Sequence, residues 1–319
     1  MADMVFSGVT FSGGFAITAP PPPSSKAIFG YGATSVSSTY YSMTNLVSNT
    51  GVVAIDTTGV GTSRYGLAAA GYGTTKAIFG YGRTSGSSVV SMTNLVSDAG
   101  VVASDTTGVG TQRWALAGTG YGTDKAMFGF GQGDGLNTVY STTNLVSNTG
   151  VVATDSGGTG TSRYGPSAAG YGSSGQAIFG YGFSQNGTAL SMTNKVSNTG
   201  VVSSDTTGVG SARIFSAAAM YGTDKAIFGY GEVTGAPYNV SLTNLVSNTG
   251  VVSNDVTGVG TARNALGAAG YGVDTAIFGY GSGGSSMTNL VSNTGIVAAN
   301  TTGVGTTRGW LAAASYGLA

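Results

Sequence analysis

The segment Lys26-Ala27-Ile28-Phe29-Gly30-Tyr31-Gly32 returns, with small changes, at Lys76, Lys125, Gln176, Lys225 and Thr275, in steps of 50, 49, 51, 49 and 50 residues. Each copy continues into Thr-Asn-(Leu/Lys)-Val-Ser-(Asn/Asp)-(Thr/Ala)-Gly-(Val/Ile)-Val. Then comes Asp-Thr-Thr-Gly-Val-Gly-Thr-x-Arg or a close relative, and an Ala-rich run ending in Tyr-Gly. The repeat units are 26–75, 76–124, 125–175, 176–224, 225–274 and 275–319. Each divides into four short strand candidates, in the first unit Lys26–Tyr31, Ser42–Ser48, Val52–Asp56 and Tyr65–Tyr72, separated by Gly-rich turns. No segment carries a helical apolar period over ten residues or more.

The period selects the architecture. A β-helix coil is too short, and the Leu patterns of leucine-rich or helical repeats are absent. A propeller blade of four strands takes about 40 to 50 residues. The Ala-rich strand suits the innermost position, where strands converge on a channel. The expectation is therefore an all-β, six-bladed β-propeller over 26–319. Its ring is closed when the last strand, Gly309–Tyr316, completes the N-terminal blade and removes the open edges at the seam.

These residues resemble the Kelch repeat. Gly30-Tyr31-Gly32 matches its diglycine with one residue inserted, and Arg64, Arg113, Arg163, Arg213, Arg263 and Arg308 match the Kelch position before the inner strand. The outer-strand Trp usual in Kelch is missing. The resemblance covers 26–319 and implies a propeller without implying an activity.

Composition narrows the chemistry. There is no His and no Cys, and Lys plus Arg equal Asp plus Glu at 12 each. Catalysis by a His-containing triad or a thiolate, a His/Cys zinc site and disulfides are excluded. So is the copper chemistry of galactose-oxidase-like Kelch propellers. A neutral chain carries no electrostatic footprint for nucleic acid or an anionic membrane. The Gly-Val-Gly elements lack the helix and Lys-Ser/Thr of a phosphate loop. One carboxylate per loop is too few for calcium. No metal, cofactor or catalytic residue is expected. The only acids outside the repeated positions are Asp3, Asp98, Asp134 and Glu232, and a shared cleft for the last two is a weak glycosidase reading.

Comparing the copies with one another separates two faces. The turns Asn49-Thr50-Gly51 and Tyr121–Lys125, with their counterparts, are nearly uniform. The opposite loops vary and are aromatic, which places candidate ligand contacts at Tyr40, Tyr41, Tyr65, Arg83, Trp114, Tyr140, Tyr164, Phe215, Tyr238 and Trp310. Both Trp are expected to be exposed, so that truncating either spares stability; unconstrained loop drift is the alternative. Asp56, Asp105, Asp155, Asp205 and Asp255 each precede an Arg by eight residues, and Asn300 precedes Arg308. The repetition points to a structural brace in which Asp56 serves Arg64, Asp105 serves Arg113, and so on to Asp155 with Arg163, Asp205 with Arg213 and Asp255 with Arg263.

Residues 1–19 alternate apolar side chains with Ser, Thr and Gly and lack a basic start, which is neither a secretory signal nor a membrane span. They read as a β-hairpin-like attachment segment, a cloning leader or disordered tail being the alternative, and 20–25 form a stiff Pro/Ser linker. The long phrase Val47-Ser48-Asn49-Thr50-Gly51-Val52-Val53 through Arg64, with this leader, resembles repeat proteins and tail-protein leaders of aquatic tailed phages, cyanophages especially. The resemblance implies a virion component attached to other virion proteins through 1–25, possible homo-oligomers in the particle, and a variable face turned to a host-surface glycan or protein. A cell-surface lectin or adhesin and a polysaccharide-degrading propeller are the rival readings.

Overall fold

The computed structural model describes residues 25–34, 39–135 and 138–318. The expected leader and all of the linker but Ser25 lie outside them. The described regular structure is all strand, arranged in small antiparallel sheets. Six sheets have three strands each, and every one follows one plan. The Ala-rich strand of one repeat hydrogen-bonds the Ile-Phe-Gly strand of the next, which bonds the Thr-Asn-Leu-Val strand. In the second sheet these are Ala68–Tyr72, Lys76–Gly80 and Thr93–Val96, with Ala70 opposite Ile78 and Phe79 opposite Asn94. In the first sheet the Ala-rich strand comes from the other end of the chain: Ala312–Leu318 pairs with Ser25–Gly30, with Ala314 opposite Ile28.

The expected fourth strand is present but irregular. Val53 bridges Val47 and Thr57 bridges Thr44. Four steps along this segment thus face three along its partner, the signature of a bulge. The bulge recurs in all six copies, for instance Val102 with Val96 and Thr106 with Thr93.

Neighbouring sheets interlock through one Phe and one Gly. Phe128 is fully buried, and a Cβ added to Gly80 of the preceding sheet would lie 2.8 Å from its ring. Only a residue without a side chain leaves that recess. The same pairing joins Gly30 with Phe79, Gly129 with Phe179, Gly180 with Phe228, Gly229 with Phe278 and Gly279 with Phe29. Each of the six core clusters accordingly draws on two successive sheets; the cluster of Phe29, Val47, Tyr271 and Ile277 joins the sixth sheet to the first. The Ala-rich strands pack side by side in chain order, and Ala312–Leu318 packs against Ala68–Tyr72.

Two sets of backbone hydrogen bonds run around the ends of these strands. At one end Gly66 N–H donates to Trp310 O, Ala115 to Gly66, Gly165 to Ala115, Phe215 to Gly165, Ala265 to Phe215 and Trp310 to Ala265, at 2.6–3.0 Å. The six bonds return to their starting residue. At the other end Gly73 donates to Asp124 O, Gly122 to Gly175, Gly172 to Asp224, Gly222 to Asp274, Gly272 to Ser25 and Gly317 to Thr75. Between the two ends, the Ala-rich strands wall a channel of about 480 Å³.

Candidate functional site

The end closed by residues 66, 115, 165, 215, 265 and 310 is built in tiers. The axial tier holds Gly66, Ala115, Gly165, Phe215, Ala265 and Trp310, all left-handed with φ between 50° and 63°. That conformation costs a non-Gly residue roughly 1–2 kcal/mol, and the cycle of hydrogen bonds imposes it regardless of side chain. The second tier is the residue before each: Tyr65, Trp114, Tyr164, Ile214, Asn264 and Gly309. It pairs with a third, the first residue after each Gly-Tyr-Gly or Gly-Phe-Gly. Tyr65 pairs with Arg83 and Tyr164 with Phe183; Trp114 exchanges backbone bonds with Gln132, Ile214 with Glu232 and Gly309 with Ala33. Asn264 O accepts from Ser282 N–H, and Ser282 Oγ accepts the Asn264 N–H. Five of the six sectors thus share one backbone pairing, and the second- and third-tier pair carries a different combination of side chains in each sector.

Among the sequence candidates, Tyr40, Tyr65, Trp114, Tyr164, Phe215 and Trp310 converge on this end. Tyr40 stacks on Tyr65 with centroids 5.2 Å apart. Trp114 lies 5.8 Å from Tyr65, 6.0 Å from Trp310 and 6.5 Å from Tyr164. Phe215 meets Trp310 edge-on at 4.3 Å. The Arg83 guanidinium lies over the Trp114 ring at 5.2 Å, while its Nε donates to Ser87 O. Two expectations are corrected. Tyr65 is 4% exposed and supports the cluster from beneath rather than presenting a surface; burial raises its phenol pKa. Trp114 and Trp310 are half-buried, not free, because each is held among neighbouring rings. Tyr238, by contrast, is 61% exposed. Tyr41 and Tyr140 are half-buried at equivalent positions, their carbonyls accepting from Arg64 N–H and Arg163 N–H.

The polar sector was missed as a group. Glu232 Oε2 accepts from Asn264 Nδ2, and the buried Asn264 Oδ1 has no partner. Glu232 also adds to burial in raising the Tyr164 pKa. The signal available was Asn264, an amide at a position that carries Tyr or Trp in three other sectors. No group of three or more His, Cys, Asp or Glu among the described residues is arranged to hold a metal ion.

The Asp and Arg residues expected to form the brace do meet, but not in the expected pairs. Arg64 does not pair with Asp56; it pairs with Asp105, at 3.7 Å. Arg113 likewise pairs with Asp155, Arg163 with Asp205, Arg213 with Asp255 and Arg308 with Asp56. The eight residues from Asp to Arg cross from the outside of one sheet to the inside of the next, so each Arg meets the Asp of the sheet it enters. Arg263, whose partner position is Asn300, is therefore the one without a carboxylate. Each guanidinium is essentially fully buried and lies over the aromatic ring of the preceding sheet's Gly-Tyr-Gly or Gly-Phe-Gly. Arg64 donates through Nε to Tyr81 O, through one terminal nitrogen to Thr62 O and through the other to Asn94 Oδ1. Asn94 and its five counterparts, all fully buried, are brace members that sequence reasoning passed over, although Thr-Asn recurs unchanged in every unit. Burial pushes the Asp105 carboxyl up, but hydrogen bonds from Thr62 and Asn94, with the Arg64 charge, bring it below the usual range.

No protein-family model matches this chain, and no curated protein sequence matches it.

Proposed function

We propose that the chain is a six-bladed β-propeller acting as a non-enzymatic binding component of a phage virion. In this reading the tiered face turns outward to a host-surface glycan or protein, and residues 1–25 attach the chain to other virion proteins, as homo-oligomers or singly. The propeller assignment is supported by the cyclic bonds at both ends of the Ala-rich strands and by a first sheet completed from the C-terminus. The binding assignment rests on one observation: the second- and third-tier side-chain pair differs in every sector, while five of the six sectors keep the same backbone pairing. Loop drift relaxes backbone and side chain together, whereas recognition on a rigid scaffold varies the side chain alone. The virion setting rests on the sequence resemblance. Among the described residues no helix is long and apolar enough to cross a membrane.

Mass spectrometry of purified virions, and a glycan array probed with the intact chain and with Trp114→Ala, test the reading. The expected result is a virion-borne chain whose glycan or host-cell binding falls at least about tenfold on losing this aromatic anchor. Unchanged binding would remove the tiered face from the proposal. Turnover of a polysaccharide by the intact chain would replace it with the enzyme reading.

A further inference from the structure

The channel walled by the Ala-rich strands opens at the end opposite the tiered face. At the tiered end the six-bond cycle of Gly66 through Trp310 encircles a separate, smaller pocket of about 80 Å³. At the other end the turns after the Ala-rich strands, including Thr74, Thr123 and Thr223, surround a mouth. Ala and Gly supply just over half of the lining residues, Met220 and Ser315 stand among them on the Ala-rich strands, and Lys76, Lys125 and Gln176 also contribute to the lining. The lining offers more apolar than polar area, so it suits apolar side chains better than a wholly polar small molecule.

Ser25 is part of that wall. It is also a member of the mouth cycle: its N–H donates to Gly272 O at 2.8 Å and its carbonyl accepts from Gly272 N–H at 2.7 Å. At the five other positions of this cycle, the acceptor is a turn residue fed by the Ala-rich strand just before it. At Ser25 the chain is fed instead by residues 1–24. That segment therefore begins on the rim of the channel mouth. Its apolar positions include three aromatic rings, Phe6, Phe11 and Phe15, before Pro20, Pro21, Pro22 and Pro23. A cavity of about 150 Å³ accepts one benzene ring, so a channel of about 480 Å³ has room for two or three.

We propose that the channel is the docking site of the chain's own N-terminal segment, which seats its Phe side chains among the Ala-rich strands. The site is at the opposite end of the axis from the ligand face and does not depend on what that face binds. A partner that takes residues 1–25 must draw the segment out, so attachment and channel occupancy exclude each other.

The absence of Cys provides the test. Met220→Cys, and separately Ser315→Cys, place a single thiol in the channel wall of the full-length chain. The rate of modification by a small uncharged maleimide is compared with that of the same chain carrying Phe6→Ser, Phe11→Ser and Phe15→Ser. Val52→Cys, on the exposed rim, normalises reagent activity. The expected result is labelling of the channel thiol about tenfold slower with the three Phe present, as for a site reached only through local opening. That protection is expected to be independent of protein concentration. Equal rates with and without the three Phe at both channel positions would overturn the proposal. Protection that grows with protein concentration would overturn it too, in favour of docking between copies.

Discussion

At the residue scale, the Arg–Asn–Asp brace couples the two ends of each sheet crossing. The carboxylate of Asp105 accepts from Thr62 N–H at 2.9 Å and Thr62 Oγ1 at 2.6 Å, which fixes the crossing segment before Arg64 enters the sheet. Thr111 with Asp155, and Thr306 with Asp56, repeat the arrangement. In the fifth crossing Asn300 Oδ1 accepts from Thr261 N–H and Asn289 Nδ2, but Asn300 Nδ2 donates to Thr261 Oγ1, where the Asp of the other crossings accepts from the hydroxyl. Asn300→Asp supplies the missing carboxylate to a buried Arg263. It is expected to stabilise the fold by about 0.5–1 kcal/mol near pH 7, the range of a partly exposed ion pair with charge-assisted hydrogen bonds. Urea unfolding at neutral pH and at pH about 3, where carboxyls protonate, checks this: the gain should be present in the first and absent in the second. A second expectation concerns acid. Asp56, Asp105, Asp155, Asp205 and Asp255 are all opposed by burial yet brought below the ordinary carboxyl value by these hydrogen bonds and the nearby Arg. A group lowered in the folded state holds its stabilisation above the unfolded value of about 3.9 and gives it up as pH falls through the folded value. Urea midpoints should hold level down to pH about 4 and drop below it; a midpoint rising toward pH about 3 would contradict the brace geometry.

At the element scale, strand identity and the pairing of the last strand with the first were legible in the sequence, whereas the outer bulge and the partners of the Asp and Arg residues were not. The Ile-Phe-Gly and Thr-Asn-Leu-Val strands appear close to their expected positions because short β-rich runs between Gly turns leave few alternatives. The Ala-rich strand begins at Ala68 rather than Tyr65, since Arg64–Tyr65 pairs separately with Arg83–Thr84. The outer segment Val52–Asp56 reads as a strand from its Val pair, but nothing in that pair announces the extra residue of the bulge. The Asp–Arg error has the same root. Spacing along the chain records separation in sequence, whereas the contact depends on a crossing that carries each Arg into the next sheet. The Gly in Phe79-Gly80 and its relatives reads as a strand end; that it is also the recess for the neighbouring Phe appears only when two sheets are packed. Gly80→Ala puts a Cβ at 2.8 Å from the Phe128 ring in a recess with Thr93 on another side at 3.2 Å. The expected cost is about 2–3 kcal/mol, the upper range for an overpacked core. Gly86→Ala is the comparison, since its Cβ meets nothing within 4 Å and only φ +83° opposes it; about 1 kcal/mol is expected there. Equal losses in the two variants, read from denaturant midpoints, would mean that the interlock does not hold the sheets together.

At the scale of the whole molecule, the first sheet is the join on which the others depend. Five of the six three-stranded sheets are assembled from segments close in sequence. The sheet formed by Ser25–Gly30, Thr44–Val47 and Ala312–Leu318 takes strands from both ends. Its contacts are among the longest in the chain: Arg308 Nε donates to Tyr31 O at 2.7 Å, another Arg308 nitrogen to Asn45 Oδ1 at 2.7 Å, and Thr306 N–H to Asp56 at 2.9 Å. Closing such separations carries the largest loop entropy, and folds dominated by non-local pairing form slowly, in milliseconds to seconds. The join is thus expected to form last and to be the place where an incomplete fold exposes strand edges. Deleting residues 308–319 removes the strand and its brace together. It leaves Ser25–Gly30 with one open edge, buried Asn45 without Arg308, and Gly66 N–H without the Trp310 carbonyl that completes the axial cycle. Unpaired edges of this kind recruit other chains. The shortened chain should therefore form concentration-dependent oligomers in light scattering and melt below the intact protein. Arg308→Ala, which keeps the strand, should melt lower but remain in the oligomeric state of the intact chain, because the edge stays covered. If the deletion leaves oligomeric state and melting unchanged, the first sheet does not close the molecule.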